Sequence, residues 1–314
     1  MAEILISLTI IGVIAAITLP ALQADINEKT WAIQRKALYS RISQAISVLP
    51  SLNGYGIGAT EQETASRATQ TFINDGLSKV LKINNICDSA NPEKCGMPNI
   101  IRNIDNKKKI YTSNMTTLLG YNSAFSVDYT QVNTNLHYSH PINTNAAAFE
   151  TVNGESILVY YNPYCFSSET HAAGSYFINQ SNYAQAYLCA NFIYDLNGKK
   201  GPNQMGKDIG FMSAIYSTDS VLAAPLSTLK DGYKKHTEAF SYCTSIDKTT
   251  RLPNKEELMA IFYNKTLLNL GDQYSVYWAS NYLGDRATYV NLFLGFINKS
   301  YPRNDYCYVR CIKR

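Results

Sequence analysis

The sequence predicts an α+β chain in three parts: a long N-terminal helix with a membrane-spanning first half (1–50), a small antiparallel-sheet domain (51–222) and a second α+β domain (223–314). Three observations predict it. Residues 4–22 are an uncharged apolar run that passes directly into a pattern of helical period. ESILVYY (155–161) and NFIYDLNG (191–198) have strand composition. Beyond residue 223, two helix signals are followed by the short strand-like pieces YSVYWAS, TYVNLF, GFIN and YCYVRCI.

The N-terminal helix comes first. The apolar run is 19 residues long, so a helix of that length spans roughly 28 Å, close to a bilayer's hydrocarbon core. Asp25, Glu28 and Lys29 mark a return to water. Trp31, Leu38, Ile42, Ala45, Ile46 and Leu49 then recur at helical spacing until Pro50 and Asn53-Gly54. Pro20 removes one backbone donor and predicts a kink. Glu3 is the one acid at the head of the run, and an ionised carboxylate in apolar surroundings needs a partner.

Glu3, Pro20 seventeen residues later and the run ISLTIIGVIAAITLPAL between and beyond them resemble the N-terminal segment of type IV pilins and pseudopilins, over residues 2–45. The resemblance implies a helix that sits in the inner membrane and then packs among other pilin subunits in an extracellular filament at the cell surface. Glu3 would meet the N-terminal amine of a neighbouring copy. It also implies prepilin peptidase as a partner where the precursor carries a leader. Met1 stands where the third residue of a mature pilin is expected.

Composition narrows the rest. Apolar residues make up 46% of the 314 residues, enough for sizeable cores, and charged residues only 17%. The net charge of +4 is scattered, so no nucleic-acid partner is expected. Lys107-Lys108-Lys109 is read as a solvated turn. The seven cysteines include no CxxC pair and no zinc-finger spacing, which argues against a structural metal site; with the bulk of the chain outside the cytoplasm, disulfides become the default reading and the odd count leaves one thiol over.

In the middle of the chain, residues 51–70 are read as a loop and 71–83 as a short helix. Cys87 and Cys95 bracket the turn-rich CDSANPEKC, where a local disulfide is expected. Cys165 and Cys189 flank the region between the two strands and are candidates for a second bond. His137 and His140 are read as ordinary loop histidines. The stretch from Asp195 to Asp208, DLNGKKGPNQMGKD, is dense in oxygen. It looks like the D-x-NG-x-KGPN-x-x-G-x-D loop of some bacterial pilin-like proteins. The favoured reading is an Asn-Gly hairpin turn capped by Asp195 and Asp208. The alternative is a calcium site with Asp195, Asn197 and Asp208 as hard ligands at turn-compatible spacing. Calcium is the single cofactor candidate.

In the C-terminal part, Tyr233, His236, Phe240 and Cys243 fall on one helical face. Asn254, with Glu257 three positions on and Pro253 ahead, predicts a capping box. In an extended YCYVRCI strand Cys307 and Cys311 share a face about 13 Å apart, beyond the roughly 7 Å a disulfide tolerates. The series Cys243, Arg251–Leu258, Tyr277-Trp278-Ala279-Ser280, Gly295 and Tyr308–Ile312 resembles the C-terminal domain of the Lcl collagen-like adhesins, over residues 228–314. That resemblance implies a C-type-lectin-like fold, a Cys243–Cys311 disulfide with Cys307 left over, and a glycan or surface-protein ligand. Thr250 and Ala279 replace a Trp and a Ser of that pattern.

The function these resemblances imply is a minor or tip pilin that presents an adhesive C-terminal domain. A type II secretion pseudopilin is the alternative. A membrane-anchored enzyme on a C-type-lectin-like fold is the remote one, since no catalytic triad, phosphate loop or dinucleotide fingerprint is present in the sequence.

Overall fold

A computed structural model describes residues 2–53, 68–88, 91–112, 146–161, 183–184, 187–216, 220–270, 276–292 and 296–313. Helix α1 runs Ala2–Asn53, with its side chains described from residue 27 onward. The chain forms two compact units, 1–40 and 41–314.

The described residues form fifteen strands: β1 (Ile83–Asp88), β2 (Ile100–Arg102), β3 (Lys109–Tyr111), β4 (Ala146–Thr151), β5 (Ser156–Tyr161), β6 (Tyr183–Ala184), β7 (Tyr187–Asp195), β8 (Ile209–Tyr216), β9 (Ser220–Ala223), β10 (Leu226–Lys235), β11 (Thr250–Arg251), β12 (Val276–Leu283), β13 (Arg286–Asn291), β14 (Phe296–Pro302) and β15 (Tyr306–Lys313). Two further helices are α2 (His236–Ile246) and α3 (Lys255–Tyr263). The first sheet has six strands in the order β1-β4-β5-β7-β8-β9, antiparallel throughout. The second is a seven-stranded mixed sheet, β10-β15-β12-β13-β14-β6, with β11 also on β15. Its β12–β15 pair is parallel. β2 and β3 make a separate hairpin.

Two expectations are corrected here. The expected fold, a long transmembrane helix with a small sheet and a C-type-lectin-like domain, gives way to a body in which strand outweighs helix and two large sheets dominate. The second sheet recruits β6, a two-residue strand from far upstream, onto β14. The expected single-pass inner-membrane anchor is also overturned: among the described residues no helix is long and apolar enough to cross a membrane. The side chains of 4–22, Glu3 and Pro20 among them, lie outside the described residues.

Strand alternation sets the layers. The first sheet turns Leu158, Ile193, Phe211 and Ile215 toward a core shared with Leu258, Ile261 and Phe262 of α3 and with Tyr277, Val290 and Ile312 of the second sheet. Helix α3 thus packs against β8 and β9 on one side and β12 and β13 on the other. A buried amide network reinforces this junction. Asn264 and Asn191 exchange hydrogen bonds of 2.9 and 3.0 Å, and Ser213 Oγ donates to Asn191 at 2.6 Å. The opposite face of the second sheet presents Trp278, Tyr289, Val309 and Cys311 to Ala239 and Cys243 of α2.

On its other face the first sheet carries Tyr161, and Phe72 of the 68–79 helical segment stacks on it with ring centroids 4.2 Å apart. Thr69 accepts a hydrogen bond from the Tyr161 N–H. Gly76 lies against the C-terminal turns of α1: a Cβ there would stand 2.9 Å from Leu49 Cδ2. Arg41 ties the same turns to the β4–β5 hairpin through an ion pair with Glu155, which Thr151 also contacts.

Candidate functional site

The loop from Asp195 to Asp208 joins β7 to β8, and its ends are set by the pairing of Asp195 with Ile209. Both aspartates are fully buried. The sequence forces sharp turns here: Gly198, Gly201 and Gly206 all adopt positive φ, as does Asn203, and glycine enters that region without a Cβ penalty. Asp195 Oδ1 accepts the Asn197 N–H at 2.9 Å. Asp208 accepts the N–H groups of Asn203 and Gln204, one on each oxygen, at 2.8 and 2.9 Å. Asn197 Nδ2 donates to the Gly201 carbonyl at 3.0 Å.

Turn and cap roles account for part of this chemistry. Asp208 closes the loop on itself, as the hairpin reading requires. Asp195 Oδ2, Asn197 Oδ1 and Asn203 Oδ1, by contrast, are buried without a hydrogen-bond partner. Burial pushes the Asp195 carboxyl up to about 7; the Asn197 N–H pulls the other way, and the Asp208 charge adds to the rise. Among the described residues no three His, Cys, Asp or Glu side chains gather as a metal cluster. Amide and hydroxyl oxygens fall outside that count, and they are what this loop offers.

The sequence pattern missed two members of the neighbourhood. Ser156, opposite Asp195 in the β5–β7 register, also has a buried hydroxyl without a partner. Asn203 lies in the loop, but nothing in its spacing distinguished it from the turn residues beside it. Neither had a local signal, because strand pairing and backbone turns bring them in.

The other singled-out residues are distributed as follows. Cys87–Cys95 and Cys243–Cys311 are disulfides, with Cα separations of 5.9 and 5.4 Å. Cys165 lies outside the described residues; Cys189 is disulfide-bonded. Cys307 is a free, buried thiol on the same strand face as Cys311. Burial, then the Asp305 charge, pushes it up to about 12, so it stays protonated and a poor nucleophile. His137, His140 and Gly295 lie outside the described residues. The capping box at Asn254 is formed reciprocally with Glu257, both bonds at 2.8 Å. Arg251 holds Glu257 by two bonds of 2.6 and 2.8 Å. Thr250 is buried and donates to the carbonyls that end α2, at Cys243 and Asp247.

His236, at the first position of α2, is fully buried among aromatic rings, edge-on to Phe240 and Trp278. Its Nδ1 accepts from Arg303 Nε at 3.2 Å, so the proton sits on Nε2, which donates to the Ala279 carbonyl at 3.0 Å. Burial first, opposed by the Ala279 bond and aided by the Arg303 charge, holds its pKa below the ordinary value. A depressed folded-state pKa contributes stability that is present above the unfolded value of about 6.5 and is lost as pH falls through the folded value. Urea midpoints at pH 7.5 and 5 should therefore show a drop in the wild type that is smaller in His236→Gln, which can retain the Ala279 bond but does not titrate.

No protein-family model matches the chain, and no curated protein is detectably similar to it.

Proposed function

We propose that the chain is a pilin-type filament subunit, of the minor or tip kind, that assembles through α1 and presents its second sheet for adhesion to a glycan or protein surface. The observation that carries this is the apolar surface α1 leaves uncovered. Ile33, Val48 and Leu52 are exposed, while Leu38, Ile42, Ala45 and Leu49 are buried. At 3.6 residues per turn the three exposed residues fall within an arc of about 100°, beside the buried stripe. The same arc also carries Gln34, Arg41 and Gln44, so α1 offers copies of the same helix a set of spaced apolar contacts with polar side chains between them. The spacing of Glu3 and Pro20 and the resemblance of residues 228–314 to an adhesin terminal domain support the same reading. So do the disulfides Cys87–Cys95 and Cys243–Cys311, which suit an oxidising compartment.

Glu3→Val tests it. The variant is expected to accumulate to wild-type level yet nearly vanish from sheared surface fibres, judged by an epitope tag in electron micrographs. Wild-type incorporation of Glu3→Val would remove the assembly role. A secretion defect on deletion, with no tagged surface fibre in the wild type, would favour the pseudopilin alternative.

A further inference from the structure

We infer that the Asp195–Asp208 loop holds a divalent cation of the calcium class, through Asp195, Asn197, Asn203 and Ser156. Among the described residues, six buried side-chain polar atoms have no hydrogen-bond partner. Four of the six belong to these residues, and all four are oxygens. Buried polar atoms are almost always paired, so four unpaired oxygens on one loop and the strand beside it point to an occupant. The carboxylate and the two amide oxygens only accept, so that occupant is electron-poor. The amide of Asn197 cannot rotate to hide its oxygen without losing the bond its Nδ2 makes to Gly201.

Main-chain oxygens line the same turn. A Cβ on Gly198 would stand 3.5 Å from the Gly96 carbonyl oxygen, 3.7 Å from that of Gly154 and 3.8 Å from Ser156 Oγ. A side chain at 198 would fill that space, and glycine leaves it open. Carboxylate, amide, hydroxyl and carbonyl oxygens with no histidine or thiol are a hard donor set. Calcium takes about six to eight such oxygens in adaptable geometry, whereas magnesium demands a strict octahedron. Asp208 keeps the supporting role already described, since each of its oxygens receives a backbone N–H.

The cation would also act on a second element. The Arg102 N–H donates to the Asn203 carbonyl at 2.7 Å, and the Met205 N–H donates to the Arg102 carbonyl at 2.9 Å. Fixing Asn203 therefore fixes the β2–β3 hairpin that leans on it. This inference is independent of filament assembly: a chain that binds calcium and builds no fibre would leave it intact.

The test is calcium chloride titrated into the full chain after chelator treatment, followed by calorimetry and by thermal unfolding. One ion per chain and a raised unfolding midpoint are expected, with magnesium chloride roughly tenfold weaker or more. Asp195→Asn keeps the side chain's shape and is expected to weaken calcium binding roughly tenfold or more. Should that variant fail to fold, Asn197→Ala carries the same comparison. An absence of calcium heat with an unchanged midpoint in the wild type would overturn the inference, leaving a proton and water as the occupants. Wild-type calcium affinity in a folded Asp195→Asn would overturn it equally.

Discussion

Trp278→Ala is expected to lower the stability of the 41–314 unit by about 4 kcal/mol, the range for truncating a buried Trp to alanine. Trp278 is fully buried between the second sheet and α2. Its ring meets His236 edge-on at 5.2 Å and Tyr301 at 5.8 Å. Its Nε1 donates to the Lys234 carbonyl at 2.9 Å, which fastens the end of β10. Alanine removes all of these contacts and opens a cavity that strands on three sides cannot close. Trp278→Phe separates the contributions. It retains most of the apolar area but leaves the Lys234 carbonyl without its donor, so about 1–2 kcal/mol is expected. Tyr282, more than half exposed on the same strand, is the control: Tyr282→Ala should cost less than either. Urea midpoints for the three variants test the ranking; equal losses for Trp278→Ala and Tyr282→Ala would contradict the layer arrangement.

The second large effect is covalent. Cys243 and Cys311 are 68 residues apart in sequence, Cys87 and Cys95 only 8. On the chain-entropy account the longer loop contributes about 4 kcal/mol and the shorter about 2.5 kcal/mol. The double variant Cys243→Ser, Cys311→Ser should therefore unfold at clearly lower urea than the double variant Cys87→Ser, Cys95→Ser. The gap should be larger than entropy alone predicts, because the longer loop's sulfurs also lie in the core beside Trp278 while Cys87 is at the margin of its cluster. Cys307 does not substitute as a partner. It points to the same side of the strand as Cys311, at a spacing no disulfide bridges.

What the sequence made legible was local. The capping box is a four-residue pattern, and Asn254 and Glu257 carry it whatever surrounds them. The common face of Cys307 and Cys311 follows from a period of two. The periodicity of α1 to Leu49 survives because its buried stripe recurs every three or four residues. The sheets were hidden for the opposite reason. β4 is AAAFET, whose alanines have little strand preference, and it is a strand because β1 and β5 pair with it on both sides. β10, LSTLKDGYKK, resembles a charged linker in isolation and is held extended by β15 some 80 residues later. β6 contributes only two residues, too few for any pattern. The oxygen-rich loop was half legible: Asp195, Asn197 and Asp208 announce a turn, whereas Ser156 enters only through strand register.

Strand β15 lies between β10 and β12, and among the described residues β10 has no other neighbour in the sheet. A ribosome reaches Tyr306–Lys313 after every strand that β15 joins. Until those eight residues emerge, β10 has nothing to zip onto and Cys243 lacks its sulfur partner. The second sheet is therefore completed only after synthesis has passed residue 313: β12, β13, β14 and β6 can pair beforehand, but a nascent chain halted before Tyr306 leaves β10 and the open edge of β12 unpaired.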